Sequence, residues 1–208
     1  TLLGWVVQFL LLCFFFALNY YSVKTFARSN NFISVLKFLV PLLVVITLFT
    51  FFKPENLHTQ GIAPFGMSGV EAAISAGGII FAYLGLTPII SVASEVQHPQ
   101  RTIPVALILS VVLSTIIYVL LQLAFLGSIP TEMLSGGWAE VSKQFSLPYR
   151  DIAITLGMGW LAFMVISDAI ISPSGTGNIY MNATPRVIYG WAKAGTFFKA
   201  FTHIDKES

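Results

Sequence analysis

The sequence has 208 residues, of which 56% are hydrophobic, 18 are phenylalanine and only 10% are charged. A water-soluble domain carries about 25% charged residues because its surface faces water, so most of this surface must face something else, as in a polytopic helical membrane protein. The net charge of +2 includes no basic stripe, which argues against a nucleic-acid partner, and the single cysteine, Cys13, excludes an internal disulfide and reads as packing within an apolar run.

Thr1 stands where a start methionine would, with no basic leader and no cleavage pattern, so the chain is expected to be cut from something longer. A helix needs about 20 apolar residues to cross the hydrocarbon core. Five stretches qualify. Residues 2–23 hold no charge, and residues 32–52 hold only Lys37. Residues 72–94 are uncharged between Glu71 and Glu95. Residues 103–129 are uncharged, with Pro104 where a proline suits a first helical turn. Residues 152–185 hold only Asp168. The expected fold class is an all-α membrane protein of about five transmembrane helices, forming one transmembrane domain over residues 1–208.

The last stretch admits a second reading, a re-entrant hairpin turning at Pro173-Ser174-Gly175. Loop charges decide between the two through the preference of Lys and Arg for the cytoplasm. With five crossings, Lys24, Arg28, Arg101, Arg186, Lys193, Lys199 and Lys206 share one side, against Lys53, Lys143 and Arg150 on the other. A hairpin would strand the basic tail outside. The expectation is five spans with the N-terminal end outside, in the cell membrane.

The third span carries the most chemistry. Gly85 weakens its helix, and Pro88 removes a backbone donor and clashes one turn back. Together they predict a break between Tyr83 and Pro88 at mid-membrane depth. Non-helical backbone survives there only where protein or a cavity satisfies its polar groups, and in transporters such breaks offer free amides and carbonyls to a substrate. A plain proline kink packed through small residues is the alternative.

The segment FAYLGLTPIISVASEVQHPQRTIPVAL resembles the sixth helix and following loop of the amino acid–polyamine–organocation permeases. The resemblance rests on Phe81, Ala82, Tyr83 and Gly85, then Glu95, Pro99, Arg101, Ile103 and Pro104. ALNYYSVKTFARSNNFISVLKFLVPLL is similar to the family's fourth-to-fifth helix connection, with Asn19 and Lys24 in register. NATPRVIYGWAKAG is similar to the segment after the eighth helix, through Arg186, Tyr189, Ala192 and Gly195. The whole chain thus resembles helices four to eight of a fold of two inverted five-helix repeats.

The resemblance implies secondary active transport of amino acids or related amines, coupled to H+ or Na+, with proton coupling expected here. It implies a substrate site at Phe81, Tyr83, Leu84, Gly85, Leu86 and Thr87, with Phe81 nearer the substrate and Tyr83 packing. Many members carry a glutamate where this chain has Thr87, so an acid relay at that point is not available. The family's first helix, with its own glycine-rich break, and the other remaining helices of the parent transporter are needed as partners, so this chain is not expected to transport alone.

Lys37 and Asp168 are the ionisable residues inside spans, where charge costs at least about 2.5 kcal/mol on insertion scales. Lys37 is long enough to snorkel to the headgroups. The resemblance instead places it where relatives bind sodium between the first, fifth and eighth helices. Asp168 is too short to snorkel, which leaves a protonated acid, a partner for Lys37, a cavity-lining role or a helix–helix hydrogen bond. Ser172, Ser174 and Thr176 follow on the same stretch; Ser172 and Ser174 join Lys37 and Asp168 as ion-coupling candidates, although such hydroxyls also simply back-bond their own turns. Glu95 and Arg101 are expected to form a loop salt bridge or gate latch.

No pair of histidines has metal-ligand spacing, and no nucleophile–base set or phosphate loop is present, so neither cofactor nor metal is expected. The competing classes are a membrane-embedded enzyme using Asp168 as its acid, and a channel or assembly subunit.

Overall fold

The computed structural model describes residues 2–21, 23–59, 61, 64–86, 88–91, 93 and 96–203, without the side chains of residues 2, 3 and 18–29. Among the described residues every regular element is helical: α1 (Leu2–Tyr21), α2 (Val23–Phe49), α3 (Gly66–Ser75), α4 (Pro88–Ser91), α5 (Pro99–Ser128), α6 (Trp138–Gln144), α7 (Pro148–Thr155) and α8 (Gly159–Lys193). Single 3-10 turns lie at Pro54–His58, Ile79–Tyr83, Thr131–Leu134 and Lys199–Thr202. By length and apolarity, Asn30–Phe49 and Pro99–Ser128 are fit to cross a bilayer, and counting the bent pair Gly66–Ser75 and Ile79–Ser91 as one span makes a third. The chain is a membrane protein.

Two compact units divide it. The first comprises Thr1–Leu36, Thr87–Ile103 and Ile170–Ser208, and the second Lys37–Leu86 and Pro104–Ala169. In the first unit α8 meets α2 at Gly175, where an added Cβ would run into the side chain of Ile33. A residue without a side chain is what lets two membrane helices approach this closely.

The second unit holds the buried core. Val40, Val44 and Leu48 recur every four residues along one face of α2, the spacing that aligns side chains on a helix. They pack with Ala124 and Phe125 at the end of α5, with Val141, Phe145 and Ile152, and with Leu161 and Ala162 of α8. Phe125 is at the centre, its ring edge-to-face with Phe145 at 5.4 Å and Tyr149 at 5.7 Å.

Just above that core the last carbonyls of α5 are gathered by one side chain. Asn56, 1% exposed, donates its amide to the carbonyls of Leu126, Gly127 and Ile129 at 3.2, 3.0 and 2.8 Å. The Lys53 N–H adds a bond to the Gly127 carbonyl at 2.8 Å. A helix end leaves carbonyls without intrahelical partners, and buried ones need partners. Here a turn 70 residues upstream supplies them.

Several element bounds differ from the hydropathy reading. Helix α2 begins at Val23, so Lys24 and Arg28 lie on a helix rather than in a loop. Helix α5 begins at Pro99 and takes in Arg101, because a proline needs no donor at a first turn. The stretch 152–185 is not one element: α7 ends at Thr155 and α8 starts at Gly159. Gly157 causes the stop. Its φ of 75° is left-handed, while the Met158 N–H returns to the Ala153 carbonyl at 2.7 Å and the Gly157 N–H to Ile154 at 2.9 Å. This pair of returning bonds ends helices where glycine can turn left. Beyond it, α8 runs 35 residues through Pro173 and Pro185 without turning back.

Candidate functional site

The stretch from Ala76 to Leu86 is where helical bonding gives way in the second unit. Helix α3 ends as the Ala76 and Gly77 N–H groups both reach the Ala72 carbonyl, at 2.9 and 2.8 Å. One 3-10 turn follows over Ile79–Tyr83, and Leu84 is then extended at φ −70° and ψ 153°. Gly85 adopts φ 111°, which side-chain-bearing residues rarely reach. Among the described residues, nothing lies within 4 Å of where its Cβ would be. The break expected between Tyr83 and Pro88 is thus preceded by a looser segment, because Gly77 and Gly78 stop α3 early. Thr87 lies outside the described residues, as does Glu95, so the expected Glu95–Arg101 bridge does too.

Side chains at the break divide by environment. Phe81 is 65% exposed and Leu84 72% exposed, and Leu86 is also exposed. Tyr83 is half-buried and engaged. Its ring meets Tyr118 edge-to-face at 5.6 Å, and its hydroxyl lies 2.9 Å from the Thr115 hydroxyl. Thr115 already donates its one proton to the Val111 carbonyl at 2.8 Å, so Tyr83 is the donor. The Tyr118 hydroxyl donates to the Ala82 carbonyl at 3.0 Å.

Lys37 and Asp168 both belong to the second unit. Both are partly buried. Ser172 and Ser174 belong to the first unit, further along α8. Ser174 donates to the Ile170 carbonyl one turn back at 2.8 Å, and the Ser172 carbonyl accepts from Thr176 at 3.3 Å. Among the described residues no cluster of three His, Cys, Asp or Glu side chains is placed to hold a metal.

A cavity of about 970 Å³ opens elsewhere in the second unit, lined by Phe65, Phe125, Trp138, Phe145 and Tyr149 among others. It includes none of Lys37, Phe81–Leu86 or Asp168.

Two residues matter here that the sequence reading did not single out. Thr115 and Tyr118 are hydroxyls three apart in a largely apolar run, a spacing that puts both on one helix face, and that was the available signal.

An amino acid permease family model matches residues 1–208 in full. The chain belongs to the amino acid permease family. It is 57% identical over 208 residues to the aspartate-proton symporter of Bacillus subtilis (strain 168), covering 100% of the chain and 40% of that protein. It is 40% identical over 185 residues to the glutamate/serine transporter AimA of the same organism, covering 88% of the chain and 34% of that protein. Cationic amino acid transporter 4 of Homo sapiens is 28% identical over 177 residues, covering 84% of the chain and 26% of that protein. No solved structure matches the chain. The chain therefore spans 40% or less of the length of these relatives. Permease membership sets aside the enzyme reading of Asp168, since the relatives are transporters.

Proposed function

We propose that the chain is the central part of a proton-coupled amino-acid carrier of the cell membrane, whose substrate is an acidic amino acid such as aspartate. The opened backbone at Leu84–Leu86 in a chain this apolar is the observation that carries the reading. Backbone amides and carbonyls left without helical partners in a membrane need a ligand, water or protein, and an amino acid offers a carboxylate and an amine. The 57% identity to an aspartate-proton symporter supports both the substrate class and the coupling ion.

In this reading Phe81, Leu84, Gly85, Leu86 and Thr87 line the substrate, and Tyr83 holds the segment. Five crossings belong to one five-plus-five inverted-repeat fold completed by the rest of the parent protein, with Lys24, Arg101 and Lys193 in the cytoplasm. Lys37 and Asp168 are the coupling candidates of the second unit, and Ser172 and Ser174 those of the first. A lysine that releases its proton in one conformation and regains it in another couples transport to protons without sodium.

The test is uptake of radiolabelled aspartate by the full-length protein in proteoliposomes under an imposed proton gradient. Accumulation that follows the gradient and collapses with an uncoupler is expected. Accumulation driven by sodium alone, or no accumulation of any acidic amino acid, would overturn the reading. Lys37→Arg separates coupling from anchoring, because a guanidinium stays protonated throughout the accessible range. Loss of gradient-driven accumulation is expected, whereas near-parental uptake with unchanged pH dependence would make Lys37 an interfacial anchor.

A further inference from the structure

The 3-10 turn at Ile79–Tyr83 ends where Leu84 becomes extended, so its last carbonyls lose their partners. One of them, on Ala82, is met by the Tyr118 hydroxyl at 3.0 Å. The next residue, Tyr83, sends its own hydroxyl to Thr115 at 2.9 Å, one turn earlier on the same face of α5. The two tyrosine rings close the arrangement edge-to-face at 5.6 Å. Two hydroxyl bonds and a ring contact therefore join adjacent residues of the opened segment to one helix face. The described residues that follow are more open: Leu84 is 72% exposed and Gly85 has open space beside it among the described residues.

We infer that Tyr118 and Thr115 form a latch that fixes the opened segment to α5, and that they are positioning residues for the substrate site rather than parts of it. The inference rests on the carrier reading for its link to transport. The latch satisfies the Ala82 carbonyl internally and withdraws it from the substrate, leaving the groups from Leu84 onward as the offered set. Phe81, two residues before Tyr83, stays 65% exposed on the same turn. Substrate affinity is thereby sensitive to two hydroxyls that need not touch the substrate.

The test uses the full-length protein in membranes, with Leu84→Cys as a reporter in an otherwise cysteine-free background and alkylation rate by a maleimide as the readout. Tyr118→Phe keeps the ring contact and deletes only the bond to Ala82. Alkylation faster by about fivefold is expected, the equivalent of one lost hydrogen bond. Thr115→Val is expected to act in the same direction, Thr115→Ser to restore the parental rate, and the double variant Tyr118→Phe/Thr115→Val to fall short of the product of the two. Without the reporter cysteine, Tyr118→Phe is expected to raise the KM for aspartate about fivefold with maximal rate and membrane abundance near parental. An unchanged alkylation rate in Tyr118→Phe overturns the latch, whatever the uptake. Faster alkylation with an unchanged KM keeps the latch and removes its link to substrate. If the parent shows no uptake at all, the carrier reading fails and alkylation still decides the latch.

Discussion

Two of the helix ends in the second unit, that of α5 and the one that opens at Ile79–Leu86, are finished in opposite ways. The end of α5 is closed by Asn56, a buried amide bonded to three carbonyls, with Phe52 packed onto Gly127 so closely that no side chain fits there. The break at Ile79–Leu86 is held at one edge by Tyr118 and Thr115 and left open at Leu84 and Gly85. Unpaired backbone is costly in a membrane, so under the proposed function the difference separates a place built for stability from a place kept available for a ligand.

The comparison can be broken most forcefully at Asn56. Asn56→Leu takes its donor from the Leu126 and Ile129 carbonyls, while Gly127 keeps the Lys53 N–H, at a cost of about 2 kcal/mol. A marked fall in the thermal unfolding midpoint of the detergent-solubilised full-length protein is expected, and an unchanged midpoint would mean the clamp contributes nothing. Next come the two glycines. Gly127→Ala forces a methyl into the Phe52 ring, an overpacking of about 1–3 kcal/mol, and is expected to lower stability with the KM unchanged in the surviving protein. Gly85→Ala meets no neighbour but strains the backbone at φ 111°, costing about 1 kcal/mol. It is expected to impair uptake more than stability. The reverse pattern would erase the distinction between the two sites.

Phe81→Ala sharpens the open side. It is expected to raise the KM for substrate more than Tyr83→Phe does, since Phe81 is exposed and Tyr83 is spent on α5. Uptake assays on the pair settle the order, and equal, negligible effects would remove the pocket from this segment.

The smallest effect concerns Asp151, near the closed end. The Leu147 N–H donates to its carboxylate at 2.8 Å, and that bond, ahead of those from Ser146 and Arg150, holds its pKa below the ordinary value. The folded pKa is the lower one, so this stabilisation is complete above the unfolded value of about 3.9 and is lost as pH falls through the folded pKa. Asp151→Asn is expected to flatten the acid limb of the unfolding midpoint below about pH 4 and to leave uptake near neutral pH unchanged.

What the sequence disclosed follows from how local each feature is. The break was legible because Gly85 and Pro88 sit within one turn and act on their own backbone. The membrane class was legible because charge is so sparse. Gly157 was missed because apolar residues continue on both sides of it, and a hydropathy window reads through a single left-handed residue. The start of α2 was missed because Lys24 and Arg28 look like a loop while their backbone continues as helix. The Asn56 clamp spans 70 to 73 residues and the Tyr118 bond 36, and no local pattern reports partners at such separations. Lys37 and Asp168 were each visible as an isolated charge, and whether two such charges meet depends on packing that no local pattern reports.

Substrate protection of Leu84→Cys tests the central claim most directly. The full-length protein is alkylated in membranes with and without saturating aspartate, and a cysteine at Phe163, exposed on α8 at 72%, serves as the control. Aspartate should slow the reaction at position 84 and leave position 163 untouched. Undiminished reaction at position 84, in protein that still accumulates aspartate, would place the substrate elsewhere and contradict the account.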